Sequence, residues 1–249
     1  MPRTRPTRAL VAATALTATL ALTGCGNDAT TEGSTSASPS GSASSSSSPS
    51  PKQPTMGELY TKVRAASLAA ESGHLKGEVT QEGQKTTLEV AGAADGSNQK
   101  LTVGVGDGEA DILTVNGKYY MTGDKAFWKE QTGDAKAADL LVGKYVQISS
   151  SDAKELGELS LGALLEEMFE QDELSTMEKL TSSVETRTDD GAQVWVASDG
   201  SGSEIWVDPE TGLLVKIIAA GDDAGELVFD SWNEVSKVKA PPAEDVVKP

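Results

Sequence analysis

From residue 55 onward, apolar side chains recur at two different periods. Met56, Leu59, Tyr60, Val63, Ala66 and Ala70 follow steps of three and four, which predicts an amphipathic helix over Thr55–Ser72. Thr55 suits its N-cap, and Gly73 stands where a left-handed C-cap glycine belongs. The period then drops to two. Leu75–Gln81 and Lys85–Ala91 flank a hairpin-like Glu82-Gly83-Gln84 turn. Gln99–Val105 alternates, with Leu101, Val103 and Val105 on one face and Lys100, Thr102 and Gly104 on the other. Ala110–Val115 leads into Asn116-Gly117, a strong two-residue hairpin signal, and then Lys118–Met121. Phe127–Lys129 and Tyr145–Ser149 read as short strands.

At Ser160 the helical period returns. Leu161, Leu164, Leu165, Met168 and Phe169 occupy one helix face, with Ser160 as N-cap. Leu174, Met177 and Leu180 continue as a second helical piece. Strands resume at Thr181–Thr188, Gln193–Ser198, Glu204–Val207, Leu213–Ala219 and Glu226–Phe229, with Asp208–Gly212 as a turn. Pro241-Pro242 is expected to end regular structure. Strands in this order predict an α+β fold, one curved antiparallel β-sheet over helices with one covered and one wet face.

The first 54 residues are of another kind. Arg3, Arg5 and Arg8 precede Ala9–Leu22, an unbroken run of Ala, Val, Leu and Thr. That run fits the core of an export signal but falls short of the roughly 20 residues needed to span a bilayer. Leu22-Thr23-Gly24-Cys25 follows directly and is similar to the bacterial lipobox, which implies cleavage before Cys25 and diacylation of its thiol. Gly26–Pro54 is rich in Ser, Thr, Gly and Pro and lacks the apolar content to fold. As a flexible coil it would span roughly 30 Å. Its Ser/Thr and Pro content is compatible with O-linked sugar. The predicted organisation is a signal peptide over 1–24, a lipidated and disordered tether over 25–54, and one folded domain over 55–249, outside the cell membrane and monomeric.

Charge and composition narrow the function. The formal net charge is −17, and removing the three signal arginines takes it to −20. Such a surface repels nucleic-acid phosphates and anionic lipid headgroups, so membrane attachment is expected from covalent lipid rather than from a basic patch. Cys25 and His74 are the single cysteine and the single histidine. They leave no disulfide, no cysteine or multi-histidine metal site and no Ser/His/Asp triad with a spare histidine. His74, placed after the predicted helix, suits that helix's C-terminal dipole when protonated. Paired acids at Glu166/Glu167, Asp189/Asp190 and Asp222/Asp223 read as solvated, without a calcium-loop pattern. Asp107-Gly108-Glu109 and Asp222-Asp223 are the least poor calcium candidates. Gly104–Gly108 precedes a strand rather than a helix, which excludes a phosphate loop. Trp128, Trp195, Trp206 and Trp232 lie in strand-like segments and are read as covering the sheet or its rim, with carbohydrate binding as the alternative.

Several segments resemble the LolA/LppX-like bacterial lipoproteins, and more narrowly the actinobacterial LppX/LprA/LprF/LprG branch. Ile205–Lys216 resembles the hairpin W-V-D-x-x-T-G-L of that family. Val115–Met121 with Phe127-Trp128-Lys129, the helix Leu161–Phe169, and Val228–Trp232 running to Ala240-Pro241-Pro242 follow in the same order. The resemblance implies a half-barrel sheet over helices, enclosing an apolar pocket for the acyl chains of lipid or glycolipid cargo, with no enzymatic activity and no cofactor. The candidate lining is Leu101, Val103, Val105, Leu161, Leu164, Leu165, Met168 and Phe169, whose bland alternative is ordinary core packing. The chain departs from that pattern in having three Phe and glycines at 104, 106 and 108. The competing reading is an interaction or sensory lipoprotein with a filled core that binds a protein or wall polymer.

Overall fold

In the computed structural model, which describes residues 52–81, 84–149, 159–169, 184–221 and 224–248, Thr55 opens helix α1 (Met56–Leu68) with a capping box. The Thr55 hydroxyl accepts from the Glu58 amide at 3.3 Å, and the Glu58 carboxylate accepts from the Thr55 amide at 2.8 Å. Two orphan amides are satisfied reciprocally. Thr55→Ala is therefore expected to cost about 1 kcal/mol, read as a lower denaturant midpoint at unchanged slope. The helix ends earlier than predicted, on Ala69 in the right-handed region. Gly73 is not its cap but lies in strand β1 (Ser72–Gln81). The glycine is required for packing instead: a Cβ there would meet Leu161 Cδ2 at 2.8 Å and Trp232 at 3.0 Å.

β2 (Gln84–Ala93), β3 (Asn98–Val105), β4 (Gly108–Val115) and β5 (Lys118–Gly123) follow as consecutive hairpins. Asn116 and Gly117 have φ of 52° and 70°, the double positive φ of the twist-matched hairpin turn. Phe127–Lys129 is not a strand. It belongs to helix α2 (Lys125–Thr132), and Trp128 goes with it. Asp124 caps this helix by accepting from the Phe127 amide at 2.7 Å, and Gly133 closes it at φ 69°. An apolar run as short as Phe127-Trp128 carries no period, so the brackets decide the element. A second short helix, α3 (Ala135–Leu141), precedes β6 (Tyr145–Ile148).

Ser160 caps α4 (Leu161–Met168) as predicted, accepting from the Ala163 amide at 3.2 Å. The helical piece at Leu174, Met177 and Leu180 lies outside the described residues, as does the start of the strand expected at Thr181. β7 (Glu185–Asp189), β8 (Ala192–Ser198), β9 (Glu204–Val207), β10 (Leu214–Ala219) and β11 (Gly225–Asp230) complete the second run of hairpins. Trp232 sits in the turn beyond β11 rather than in a strand.

Regular structure does not end at Pro241-Pro242. A 3₁₀ turn, Ala243–Asp245, leads to β12 (Val246–Val247), which pairs in parallel with β6. Among the described residues the sheet has twelve strands, ordered β12-β6-β5-β4-β3-β2-β1-β11-β10-β9-β8-β7. Every other described pairing is antiparallel. To reach β6 from β11, the C-terminal segment must pass β1 to β5. The Asn98 carboxamide ties it down by donating to the Val238 carbonyl at 2.9 Å and accepting from its amide at 2.7 Å. Lys144 holds the far end through Asp245 at 2.8 Å. Asn98 shares its face with its register partner Val115. On that same outer face Leu113, Val115 and Tyr120 are buried, so the outer face is not uniformly wet.

Candidate functional site

The strand register arranges the inner face of the sheet in three layers. The middle layer runs Phe229, Leu75, Val90, Leu101, Ile112, Met121 and Val146 across seven strands. Leu75, Val90 and Leu101 have no exposed surface. Met56, Leu59, Tyr60 and Val63 of α1 close over this layer together with Leu161, Leu165 and Phe169. This part of the interior is a continuous packed core.

One flanking layer is small and polar. Gly73, Gly92, Gln99, Thr114, Tyr119 and Ile148 are register partners. Gln99 and Thr114 are buried there. The α4 N-terminus sits against this end, where the Gly162 amide donates to the Ala94 carbonyl at 2.9 Å. Trp232 stacks on Phe229 at 6.0 Å and donates its indole N–H to the Leu214 carbonyl at 2.8 Å.

The other flanking layer is apolar and half-buried. Ala197, Ile205, Ile217, Leu227, Gly77, Leu88, Val103, Ala110 and Gly123 pair in sequence across nine strands. Ala197, Ile205, Ile217, Leu227, Leu88 and Val103 all keep part of their surface open, as do Leu164 and Met168 on α4. Leu227 leans over Gly77, where an added Cβ would meet its Cδ2 at 2.6 Å. Phe127 covers Gly108 and Gly123 in the same way, which explains glycine at both positions.

The eight predicted lining residues therefore divide. Leu101, Leu161, Leu165 and Phe169 belong to the packed core; Val103 belongs to the half-buried layer, and Leu164 and Met168 on α4 are partly buried against the core. Val105 is in β3, and its side chain is outside the described set. Sequence reasoning missed Leu88, Ile205, Ile217 and Leu227. Each alternates correctly in its own strand, but only the strand order brings them into one row.

The outer face carries the charge. His74 is not at a helix end: it lies in β1 between Asp230 Oδ1 at 3.0 Å and Glu89 Oε1 at 3.2 Å. Partial burial raises both carboxyls. Hydrogen bonds from Lys76 and His74 to Glu89, and from Ser231 and His74 to Asp230, outweigh it and hold both below the usual carboxylate range. Carboxyls depressed in the folded state stabilise it above their unfolded value, about pH 4, and lose that contribution as pH falls through the folded value. Acid melts below about pH 4 are thus expected to show a steeper stability loss in the native chain than in Asp230→Asn.

Farther along the sheet, Lys216 Nζ and the Arg187 guanidinium lie 4.6 and 5.6 Å from the Trp206 ring. Glu204 accepts from both the Trp206 indole and Arg187. Trp195 has Lys62 at 4.9 Å. These rings are already occupied by cations, which favours covering the sheet over holding a sugar. Among the described residues, no group of three or more His, Cys, Asp or Glu is arranged to hold a metal ion. Glu166 and Glu167 are exposed, and Asp222-Asp223 lies outside the described residues.

No protein-family model matches the chain, and no curated protein does. Solved structures do. The crystal structure of LprF from Mycobacterium bovis superposes with a TM-score of 0.48 at 12% identity, covering 76% of this chain and 99% of that one. The crystal structure of the Mycobacterium tuberculosis lipoprotein LppX gives a TM-score of 0.42 at 15% identity, covering 74% and 98%. This α+β chain, with its large, mostly antiparallel sheet over helices, is similar in structure to LprF and LppX over about three quarters of its length.

Proposed function

We propose that the chain is an envelope lipoprotein, anchored through diacylated Cys25, that binds the acyl chains of lipid or glycolipid without enzymatic turnover. The half-buried apolar layer from Ala197 to Val103, with Leu164 and Met168 of α4 half-buried as well, is the observation that carries this reading. Adjacent apolar residues in a core normally bury one another fully. Here one layer does so from Phe229 to Ile112, while its neighbour two residues along the strands stays half-buried from Ala197 to Val103. Surface of that kind gains about 25 cal/mol for each Å² removed from water, which a hydrocarbon tail supplies without directional bonds. The polar layer at Gln99 and Thr114 and the α4 N-terminus close the opposite end, so acyl chains would enter beside Leu88, Val103 and Leu227.

Uptake of a fluorescent fatty-acid analogue tests the site. Val103→Asp places a charge in the half-open layer, where solvent limits the folding penalty. Uptake is expected to fall at least tenfold, about 1.4 kcal/mol, with little change in melting temperature. Equal uptake by native chain and variant would remove this layer as the binding surface.

A further inference from the structure

The half-buried row is walled at one end. Val103 pairs with Ala110, and Ala110 with Gly123, so β4 and β5 continue the row past its open part. Ala110 is small and buried, and Gly123 has no side chain, so this stretch of sheet is a shallow floor. Phe127 fills the space above it. A Cβ added at Gly123 would run into the Phe127 ring, with Cγ at 3.0 Å, and one added at Gly108 would meet the Phe127 backbone nitrogen at 2.8 Å.

The ring is held in place from its own helix. The Asp124 amide donates to the Glu109 carbonyl of β4 at 3.0 Å, and the Asp124 carboxylate accepts from the Phe127 amide at 2.7 Å. Trp128, 5% exposed, meets Phe127 edge-on at 5.0 Å. The start of α2 is thereby tied to the strand that its ring covers.

The far end of the row is also bounded. Glu185 pairs with Val196, so the same register sets Val184 opposite Ala197. Val184 is buried, and its carbonyl accepts from the Gln53 side chain. Between these stops the row crosses from β3 to β8 in the order β3-β2-β1-β11-β10-β9-β8. Six spacings of about 4.8 Å make about 29 Å, the length of an extended hydrocarbon tail of roughly 22 carbons.

We propose that Phe127 is a specificity-determining residue of this row: its ring closes the β4–β5 end and sets the longest acyl chain the row accepts. The inference rests on the acyl-binding reading given above and deepens it. Removing the ring frees the floor at Ala110 and Gly123, two further spacings, which is about 10 Å or roughly eight methylenes. The stop is an uncharged ring, so it discriminates by hydrocarbon length and not by headgroup. Carbons beyond the stop stay in water and add no burial, so affinity ceases to rise with length there.

The test uses the full chain carrying Cys25→Ser, which keeps the protein's own lipid out of the measurement. Native mass spectrometry reads the binding of lysophosphatidylcholines, each with one saturated chain of 14 to 26 carbons, with Phe127 present and in Phe127→Ala. With Phe127 present, binding is expected to rise with chain length and level off at about 22 carbons. In Phe127→Ala the ratio of bound 26-carbon to 18-carbon lipid is expected to rise about fivefold or more. Phe127→Leu keeps an apolar side chain over Gly123 and should move the ratio the same way by less; it carries the test if the alanine variant does not fold. An unchanged ratio in a folded variant that still binds lipid overturns the stop and leaves the acyl-binding reading standing. Failure of the chain with Phe127 to bind lipid of any length overturns both.

Discussion

Phe169→Ala is expected to destabilise the domain by about 3–5 kcal/mol, a large share of the total stability of a single domain. Phe169 is 1% exposed and meets Tyr60 edge-on at 5.7 Å, so its ring joins α4 to α1. Its carbonyl accepts from Arg64 Nε at 3.1 Å, which fixes the backbone at that point. Truncation removes the ring's apolar area and leaves a void that two helices and a sheet cannot all close. Met168→Ala, one residue earlier and half-buried, should cost well under half as much. Urea denaturation of the two variants measures the contrast, and equal midpoints would mean that α4 is not seated as described.

Cys25→Ser is expected to move nearly all of the protein from the membrane fraction to the soluble exported fraction. One acyl chain holds a protein only marginally, whereas two anchor it stably. No described helix is long and apolar enough to cross a bilayer. Fractionation with mass measurement of the first tryptic peptide reads the outcome. Retention of Cys25→Ser in the membrane at native levels would remove lipidation as the attachment.

The helices α1 and α4 were legible because each shows a long apolar stripe and a capping residue, Thr55 and Ser160, that does what its chemistry predicts. The hairpins at Asn116-Gly117 and Asp208–Gly212 were legible for the same local reason. Helices α2 and α3 were not, because Phe127-Trp128 is too short to show a period. Their signal lies in the capping brackets Asp124, Gly133 and Asp134 rather than in any period. Gly73 illustrates a different limit. A glycine after a helix reads as a cap, yet it is small because Leu161 and Trp232, far along the chain, lie over it. His74 likewise acquires its partners from β2 and β11, which are distant in sequence.

The candidate site was half legible. Alternation identifies the inner-facing residues of each strand, and Leu101 and Val103 read alike. What separates them is which helix lies above: Leu101 is under α1 and α4, and Val103 is one step beyond that cover. No periodicity contains that information. The crossing of the C-terminal segment to β6 was equally invisible, since Val246-Val247 is too short to announce a strand.

Native mass spectrometry of the anchored chain, purified from its own host and released by cleavage within the tether, addresses the acyl-binding interior most directly. The half-open layer predicts co-purifying lipid at up to one molecule per chain, lost in Val103→Asp. A bare polypeptide mass that stays bare after incubation with lipid vesicles would contradict it.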